Sequence, residues 1–233
     1  MTDIAACLAA VRARIDQAEK AADRTPGGVR LLAVSKLHPA GAVREAHAAG
    51  QQVFGENYVQ EGLAKMAELA GLPLEWHLIG PLQSNKTREV AEHFDWVQSV
   101  DREKIARRLS EQRPARLPPL QVCLQVNIDD EASKAGCSLA ELPVLVRVVL
   151  GLPRLQLRGL MCIPRAGNTA ALAALAKTRQ DLLASIPGLE AATFDTLSMG
   201  MSDDLEAAVA AGSTMVRVGS AIFGARPAGA GPA

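Results

Sequence analysis

Aromatic residues are scarce in this chain. Two tryptophans, one tyrosine and four phenylalanines make up 3% of its 233 residues, while 48% are hydrophobic. The core must therefore be assembled from Ala, Val, Leu and Ile. Charge of either sign is not in excess: 25 Lys and Arg balance 25 Asp and Glu, which removes any electrostatic case for nucleic acid or an anionic membrane surface. The four cysteines, Cys7, Cys123, Cys137 and Cys162, are scattered, with no CxxC pair and no histidine at ligand spacing. This argues against a disulfide framework or a zinc site and for a reducing compartment. No apolar run approaches membrane length, and neither a GxGxxG fingerprint nor a P-loop occurs. A soluble, cytoplasmic protein of one large domain or two small ones is expected.

Around one short stretch the remainder can be ordered. LLAVSK, Leu31 to Lys36, runs aliphatic into a lysine, and His38-Pro39 forbids its extension. It reads as a parallel-type strand buried on both faces. A lysine at the carboxyl end of such a strand is partly desolvated, which favours the neutral amine and makes it a nucleophile toward carbonyls. Taken alone, Lys36 reads first as a side chain reaching solvent where the strand ends, since charged residues usually stay wet; the rest of the chain changes that reading.

Before that strand, Ile4, Leu8, Val11 and Ile15 recur at helical spacing and mark an amphipathic helix, not a signal peptide. After it, the pattern alternates. A helix over 40–49 closes at Gly50. Gln51 to Asn57 forms strand two and 58–70 a helix ended by Gly71. Strand three is Leu74 to Gly80, followed by a helix over 85–94, and strand four is Trp96 to Val100. Asp101 reads as a helix cap. Leu120 to Asn127 is strand five, Ser138 opens a helix that stops near Gly151, and Leu155 to Ile163 is strand six. A helix over 169–186 leads to strand seven, Thr196 to Gly200. A helix over 203–211 precedes strand eight, Met215 to Gly219. Residues 1–226 thus form one unit, and 227–233, rich in Ala, Gly and Pro, form a disordered tail. Eight strands alternating with helices in this length fit an α/β fold, a (β/α)₈ TIM barrel with an extra N-terminal helix. An open doubly wound sheet is the alternative.

Barrel sites lie at the carboxyl ends of strands, and phosphates commonly sit on the loops after strands seven and eight. Here those loops are Ser198-Met199-Gly200-Met201-Ser202 and Arg217-Val218-Gly219-Ser220. Their small residues let backbone amides approach an anion, with helix starts behind them. Asp203 reads as a cap for its own helix, boxed by Glu206. A reactive lysine on strand one and an anion nest on strands seven and eight call for a ligand with an aldehyde at one end and a phosphate at the other. Pyridoxal 5′-phosphate (PLP) is such a ligand.

The stretches AVSKLHP, VFGENYVQE, EWHLIGPLQSNK, LRGLMCIP and LSMGMSDDLEAAVAAGSTMVRVGSAIFGAR together resemble the pyridoxal phosphate homeostasis proteins. That family's fold is similar to the barrel domain of alanine racemase, and the resemblance covers nearly the whole chain. It implies a monomeric or weakly associated protein that holds PLP on Lys36 as an aldimine and regulates supply of the vitamin B6 cofactor, with PLP-dependent apo-enzymes as partners. By the same resemblance, Asn57 contacts the cofactor ring or its 3-hydroxyl. Ser198, the backbone around Gly200 and Met201, and Gly219 with Ser220 match the phosphate ligands. Arg217 matches the arginine facing the pyridine nitrogen. An arginine cannot accept a proton, so it keeps that nitrogen unprotonated and the ring a weaker electron sink than one facing a carboxylate.

Other candidates are less marked. His77, mid-strand, lines the barrel near the ring or else turns toward the helices. Ser84 and Asn85 start a helix, which capping alone explains. Lys86 and Lys134 are further amines, Lys134 in a loop after strand five. A racemase-like PLP enzyme is the chief rival function: it needs a second acid–base, which alanine racemase-like enzymes take from another domain, and the chain ends just after strand eight. An aldolase or isomerase using Lys36 on a sugar phosphate is the third.

Overall fold

The strands are short, three to seven residues, because each is buried on both sides and needs only to cross one barrel wall. In the computed structural model, which describes residues 2–131 and 134–225, the order is α1 (Ile4–Ala21), β1 (Arg30–Val34), α2 (Ala40–Ala48), β2 (Val53–Glu56), α3 (Val59–Glu68) and β3 (Glu75–Leu78). A 3₁₀ turn (Ser84–Lys86) precedes α4 (Thr87–His93), β4 (Trp96–Val100), α5 (Glu103–Gln112), β5 (Leu120–Gln125) and α6 (Leu142–Leu150). Then come β6 (Leu155–Met161), α7 (Ala170–Ser185), β7 (Thr196–Ser198), α8 (Leu205–Ala210), β8 (Met215–Val218) and α9 (Ser220–Phe223). The eight strands pair in parallel in sequence order and close, β8 returning to β1 with Leu32 beside Arg217. The protein is a TIM barrel, as its alternation of strands and helices predicts. The expected tail 227–233 lies outside the described residues.

Expected and observed elements differ mostly at their ends. Strand runs such as Leu74 to Gly80 and Leu155 to Ile163 shrink to Glu75–Leu78 and Leu155–Met161, because their last residues leave the ladder to build the loops. Asp101 does not cap α5: its carboxylate takes Arg102 at 2.6 Å, and Arg102 is the capping position. Ser138 sits one turn before α6, in a reciprocal box with Glu141 whose carboxylate accepts the Ser138 amide at 2.9 Å.

Most of the apolar core lies between strands and helices, and α1 is part of it. The helix after β8 is a single turn, Ser220–Phe223, too short to cover its strand. α1 fills that place, packing against α8, α9 and α2 through the stripe Ile4, Leu8, Val11 and Ile15 that its 3.6-residue period brings to one face. Arg12 of α1 and Arg24 in the turn after it then satisfy carbonyls at or just past the ends of the neighbouring helices. Arg24 donates to Val209 O at 2.8 Å and Ser213 O at 2.6 Å, and Arg12 to Ala49 O at 3.1 Å. The loop back to β1 is held by buried Glu19, which accepts the amides of Gly27 and Val29 at 2.8 and 2.7 Å.

The barrel interior is different. Its apolar part includes a small separate cluster, Trp96, Cys123 and Met161, besides Leu32 and Met215, and much of the rest is polar: His77, Gln98, Ser198 and Arg217, all buried. TIM-barrel interiors are usually layered with branched aliphatics. The four cysteines are free thiols, and among the described residues no helix is long and apolar enough to cross a membrane.

Because α1 completes the outer ring, Leu8→Ala, at a fully buried position, is expected to lower unfolding free energy by about 2–5 kcal/mol. Denaturant titration checks this; a loss below about 0.5 kcal/mol would mean that α1 is not integral to the core.

Candidate functional site at the carboxyl end of the barrel

Lys36 owes its place to an ion cluster behind β1. The Ser35 amide extends the ladder to Gly55 O at 3.0 Å. The Ser35 hydroxyl donates to Glu56 Oε1 at 2.6 Å, and its carbonyl accepts Lys65 Nζ at 2.6 Å. Lys65 also bridges Glu56 at 2.6 Å and Glu61 at 2.7 Å. Glu61 in turn accepts the Leu37 amide at 2.6 Å. Leu37 stands at φ +65°, a left-handed conformation that costs a leucine roughly 1 kcal/mol or more. Residues on both sides of Lys36 are therefore fixed by one buried cluster, and Lys36 emerges from it half-buried.

The side chain emerges into a cavity of about 490 Å³ at the barrel mouth, also lined by Val34, Asn57, Ile163, Arg217 and Ser220. This is ample for a ligand of cofactor size. Of the residues singled out in the sequence, Lys36, Asn57, Met201, Arg217, Gly219 and Ser220 meet here. Close backbone approach shapes the walls. A Cβ on Gly80 would fall 2.1 Å from Asn57 O, and one on Gly219 would fall 3.0 Å from Val34 O. Gly200, at φ +93°, is pressed against Ala208, and its carbonyl accepts the Arg217 amide at 2.9 Å. Asn57 Oδ1 is buried with no hydrogen-bond partner among the described residues, an acceptor that a polar ligand would satisfy.

Three singled-out residues stand back from the cavity wall. Gly200 acts through its backbone, as described. Ser198 is fully buried below the mouth, its hydroxyl accepting Arg217 Nη1 at 2.9 Å and donating to Gln98 Oε1 at 2.6 Å. His77 points into the barrel, stacked on Trp96 at 4.9 Å between ring centroids, with Gln98 on Nδ1 at 2.8 Å and Glu75 on Nε2 at 2.6 Å. Burial holds its pKa below the usual histidine range, against the opposing pull of Glu75. Arg217 is buried too. Its other bond goes to Cys162 O at 2.8 Å, and desolvation lowers its pKa.

Asp203 and Glu206 form no capping box. Helix α8 starts only at Leu205, Asp204 accepts the Met201 amide at 2.6 Å, and Glu206 pairs with Arg14 at 2.9 Å. With α8 and α9 of six and four residues, neither helix has a dipole of consequence for an anion, and the Met201 amide of this loop is already given to Asp204. The other amines are engaged by carboxylates: Lys134 with Asp129 at 2.8 Å and Glu131 at 3.3 Å, Lys86 with Glu89 at 3.1 Å. The hydrogen bond to Asp129 heads the causes that raise the Lys134 pKa, so it stays protonated.

The Glu56–Lys65–Glu61 cluster and Gln98 were not anticipated from the sequence. Their trace there is a polar residue closing or interrupting an apolar strand, VFGEN and WVQSV. Burial raises the Glu56 pKa to about 7 despite Lys65, and its Oε2 has no partner among the described residues. The folded-state value lies above the unfolded one, so this group's contribution to stability is complete below about pH 4.5 and lost as pH rises through 7. At about 1.4 kcal/mol per unit, that window is worth roughly 3 kcal/mol. Glu56→Gln is expected to flatten the fall in stability between pH 4.5 and 7.5, measured by denaturant titration at each pH. An unchanged slope would assign that fall to other groups.

Comparison with known proteins adds the following. Residues 7–227 match the family model "Alanine racemase, N-terminal domain". The pyridoxal phosphate homeostasis protein of Pseudomonas aeruginosa is 62% identical over 232 residues, 99% of each chain. Its namesake in Escherichia coli K12 is 56% identical over 231, covering 97% of this chain and 98% of that one. Two structures of PipY from Synechococcus elongatus superpose over 95% of this chain and 100% of theirs. The form without PLP has TM-score 0.83 at 43% identity, and the form with PLP bound 0.82 at 42%. An alanine racemase from Corynebacterium glutamicum, 16% identical with TM-score 0.67, shares the fold over 95% of this chain and 62% of its own.

Proposed function

Because the chain belongs to the pyridoxal phosphate homeostasis family, built on the N-terminal barrel fold of alanine racemase, we propose that it holds PLP in the mouth cavity as a Schiff base on Lys36 and supplies it to apo-enzymes. One observation carries this reading: Lys36 and Asn57, just beyond β1 and β2, line the same cavity as Arg217 of β8, and Asn57 Oδ1 has no hydrogen-bond partner among the described residues. The residues present fit the cofactor. Lys36 supplies the amine for its aldehyde, Asn57 a polar contact to the ring or its 3-hydroxyl, and Arg217 a donor toward the pyridine nitrogen. The loops at Met201 and at Gly219-Ser220, which line the cavity, hold the phosphate.

When bound, PLP supplies an electron-withdrawing ring conjugated to the Lys36 nitrogen. What the chain adds limits its use in turnover. Among the described residues no carboxylate pairs with the Arg217 guanidinium, so nothing beside it favours a protonated ring nitrogen. Of the two carboxylates on the phosphate loop, Asp204 accepts the Met201 amide, while Asp203 lines the cavity. The protein is accordingly a carrier without efficient catalysis, acting as a monomer in the reducing cytoplasm that its free thiols suit.

To test this, loaded protein is mixed with a PLP-requiring apo-enzyme and, separately, with L- and D-amino acids. Reactivation of the apo-enzyme, with no racemisation or transamination above free cofactor, is expected. Saturable turnover of an amino acid that Lys36→Ala abolishes would instead establish an enzyme.

A further inference from the structure

Buried guanidinium groups are normally matched by carboxylates. The Arg217 guanidinium is matched by a chain of hydrogen bonds that crosses the barrel interior. Arg217 Nη1 donates to Ser198 Oγ at 2.9 Å, and Ser198 Oγ donates to Gln98 Oε1 at 2.6 Å. Gln98 Nε2 lies 2.8 Å from His77 Nδ1, and His77 Nε2 lies 2.6 Å from Glu75 Oε1. Four strands contribute: β8, β7, β4 and β3. The chain ends at Glu75, beside Arg30 at 2.9 Å, on the opposite rim from Lys36.

Its direction is fixed. Gln98 Nε2 also lies 3.1 Å from the Met215 thioether, which can only accept, so the amide nitrogen faces Met215 and His77 and the amide oxygen faces Ser198. His77 Nδ1 must then accept, which leaves Nε2–H to donate to Glu75. Burial keeps His77 on its neutral side, which agrees with this tautomer. Every donor thus points from Arg217 toward Glu75. The Ser198 hydroxyl, with its one proton committed to Gln98, is left with its lone pairs facing Arg217. Reversing any single link would set two donors against each other.

We propose that Gln98 and His77 are positioning residues for the cofactor's ring nitrogen: through Ser198 they fix the orientation of the Arg217 guanidinium. The inference rests on the reading that PLP occupies the mouth with its nitrogen toward Arg217. Neither residue touches the cavity; both lie beneath it. Polar side chains replace the aliphatic layers expected there because the arginine above them needs an acceptor of fixed polarity more than it needs a packed floor.

The test compares the visible absorption band and the PLP affinity of wild type, Arg217→Gln, Gln98→Leu, His77→Phe and His77→Asn, and of the Gln98→Leu/Arg217→Gln double variant. Gln98→Leu removes both amide links, and His77→Phe keeps the stack on Trp96 but removes the acceptor. Each is expected to shift the band in the same sense as Arg217→Gln and to weaken affinity about tenfold. His77→Asn, whose side-chain amide can present an acceptor where Nδ1 stands, should restore the wild-type band. The double variant should match Arg217→Gln alone, because the chain acts only through that arginine. Wild-type bands in both Gln98→Leu and His77→Phe, or a double-variant shift equal to the sum of the singles, would overturn the proposal while leaving the cofactor reading intact. If one of these variants fails to fold, the other decides. Absence of any visible band in PLP-treated wild type would overturn the cofactor reading itself, and the positioning role with it.

Discussion

One buried amine holds the site in place. Lys65 Nζ touches Ser35 O, Glu56 and Glu61 within 2.7 Å. Without it, buried Glu56 and half-buried Glu61 would face each other with no cation between them, and the carbonyl next to Lys36 would lose its donor. Removing one member of such a cluster leaves an uncompensated buried charge, which is far costlier than the cluster is stabilising. The arrangement makes sense as a means of specifying geometry. A leucine in the left-handed region must follow Lys36, and the Glu61 carboxylate on its amide offsets that strain. The direction in which Lys36 leaves the barrel wall is thereby set by side chains from α3 and β2 as much as by its own strand.

The second half of the site reaches the same cavity from the other side of the barrel's closure. β8 pairs with β1, and Leu32 lies in register with Arg217, so a lysine and an arginine nearly two hundred residues apart become neighbours. An arginine buried at such a mouth demands strong local anchoring. Arg217 is anchored from below by Ser198 and Cys162 O. The loops after β7 and β8 bring Met201, Gly219 and Ser220 to the rim of the same cavity. The polar interior and the polar mouth are thus one construction, with the interior orienting what the mouth presents.

Much of this was legible in the sequence. Alternation of short aliphatic runs with helical periodicity gives a barrel, and Lys36, Asn57, Arg217 and the glycine-serine loops fall at strand ends where barrel sites form. What was not legible was long-range and polar. Nothing in VFGEN says that Glu56 will meet a lysine on the next helix, and nothing in WVQSV says that Gln98 will bond residues on β3 and β7. Period-two alternation assigns a side chain to a face, not to a partner across the barrel, and that is why His77 could be located mid-strand but not aimed. The reading of Asp203 and Glu206 as a box failed for a related reason. Local capping chemistry competed with a tertiary pairing, and Glu206 went to Arg14 on α1.

The central claim is that Lys36, and no other amine, carries the cofactor. Borohydride reduction of PLP-loaded protein, followed by digestion and mass mapping, tests it most directly, because reduction converts the Schiff base into a permanent mark on its lysine. The account predicts a single dominant pyridoxyl adduct on Lys36, with Lys134 and Lys86, each paired with carboxylates, largely unmodified. A dominant adduct on either of those lysines, or an even spread over surface lysines, would contradict it.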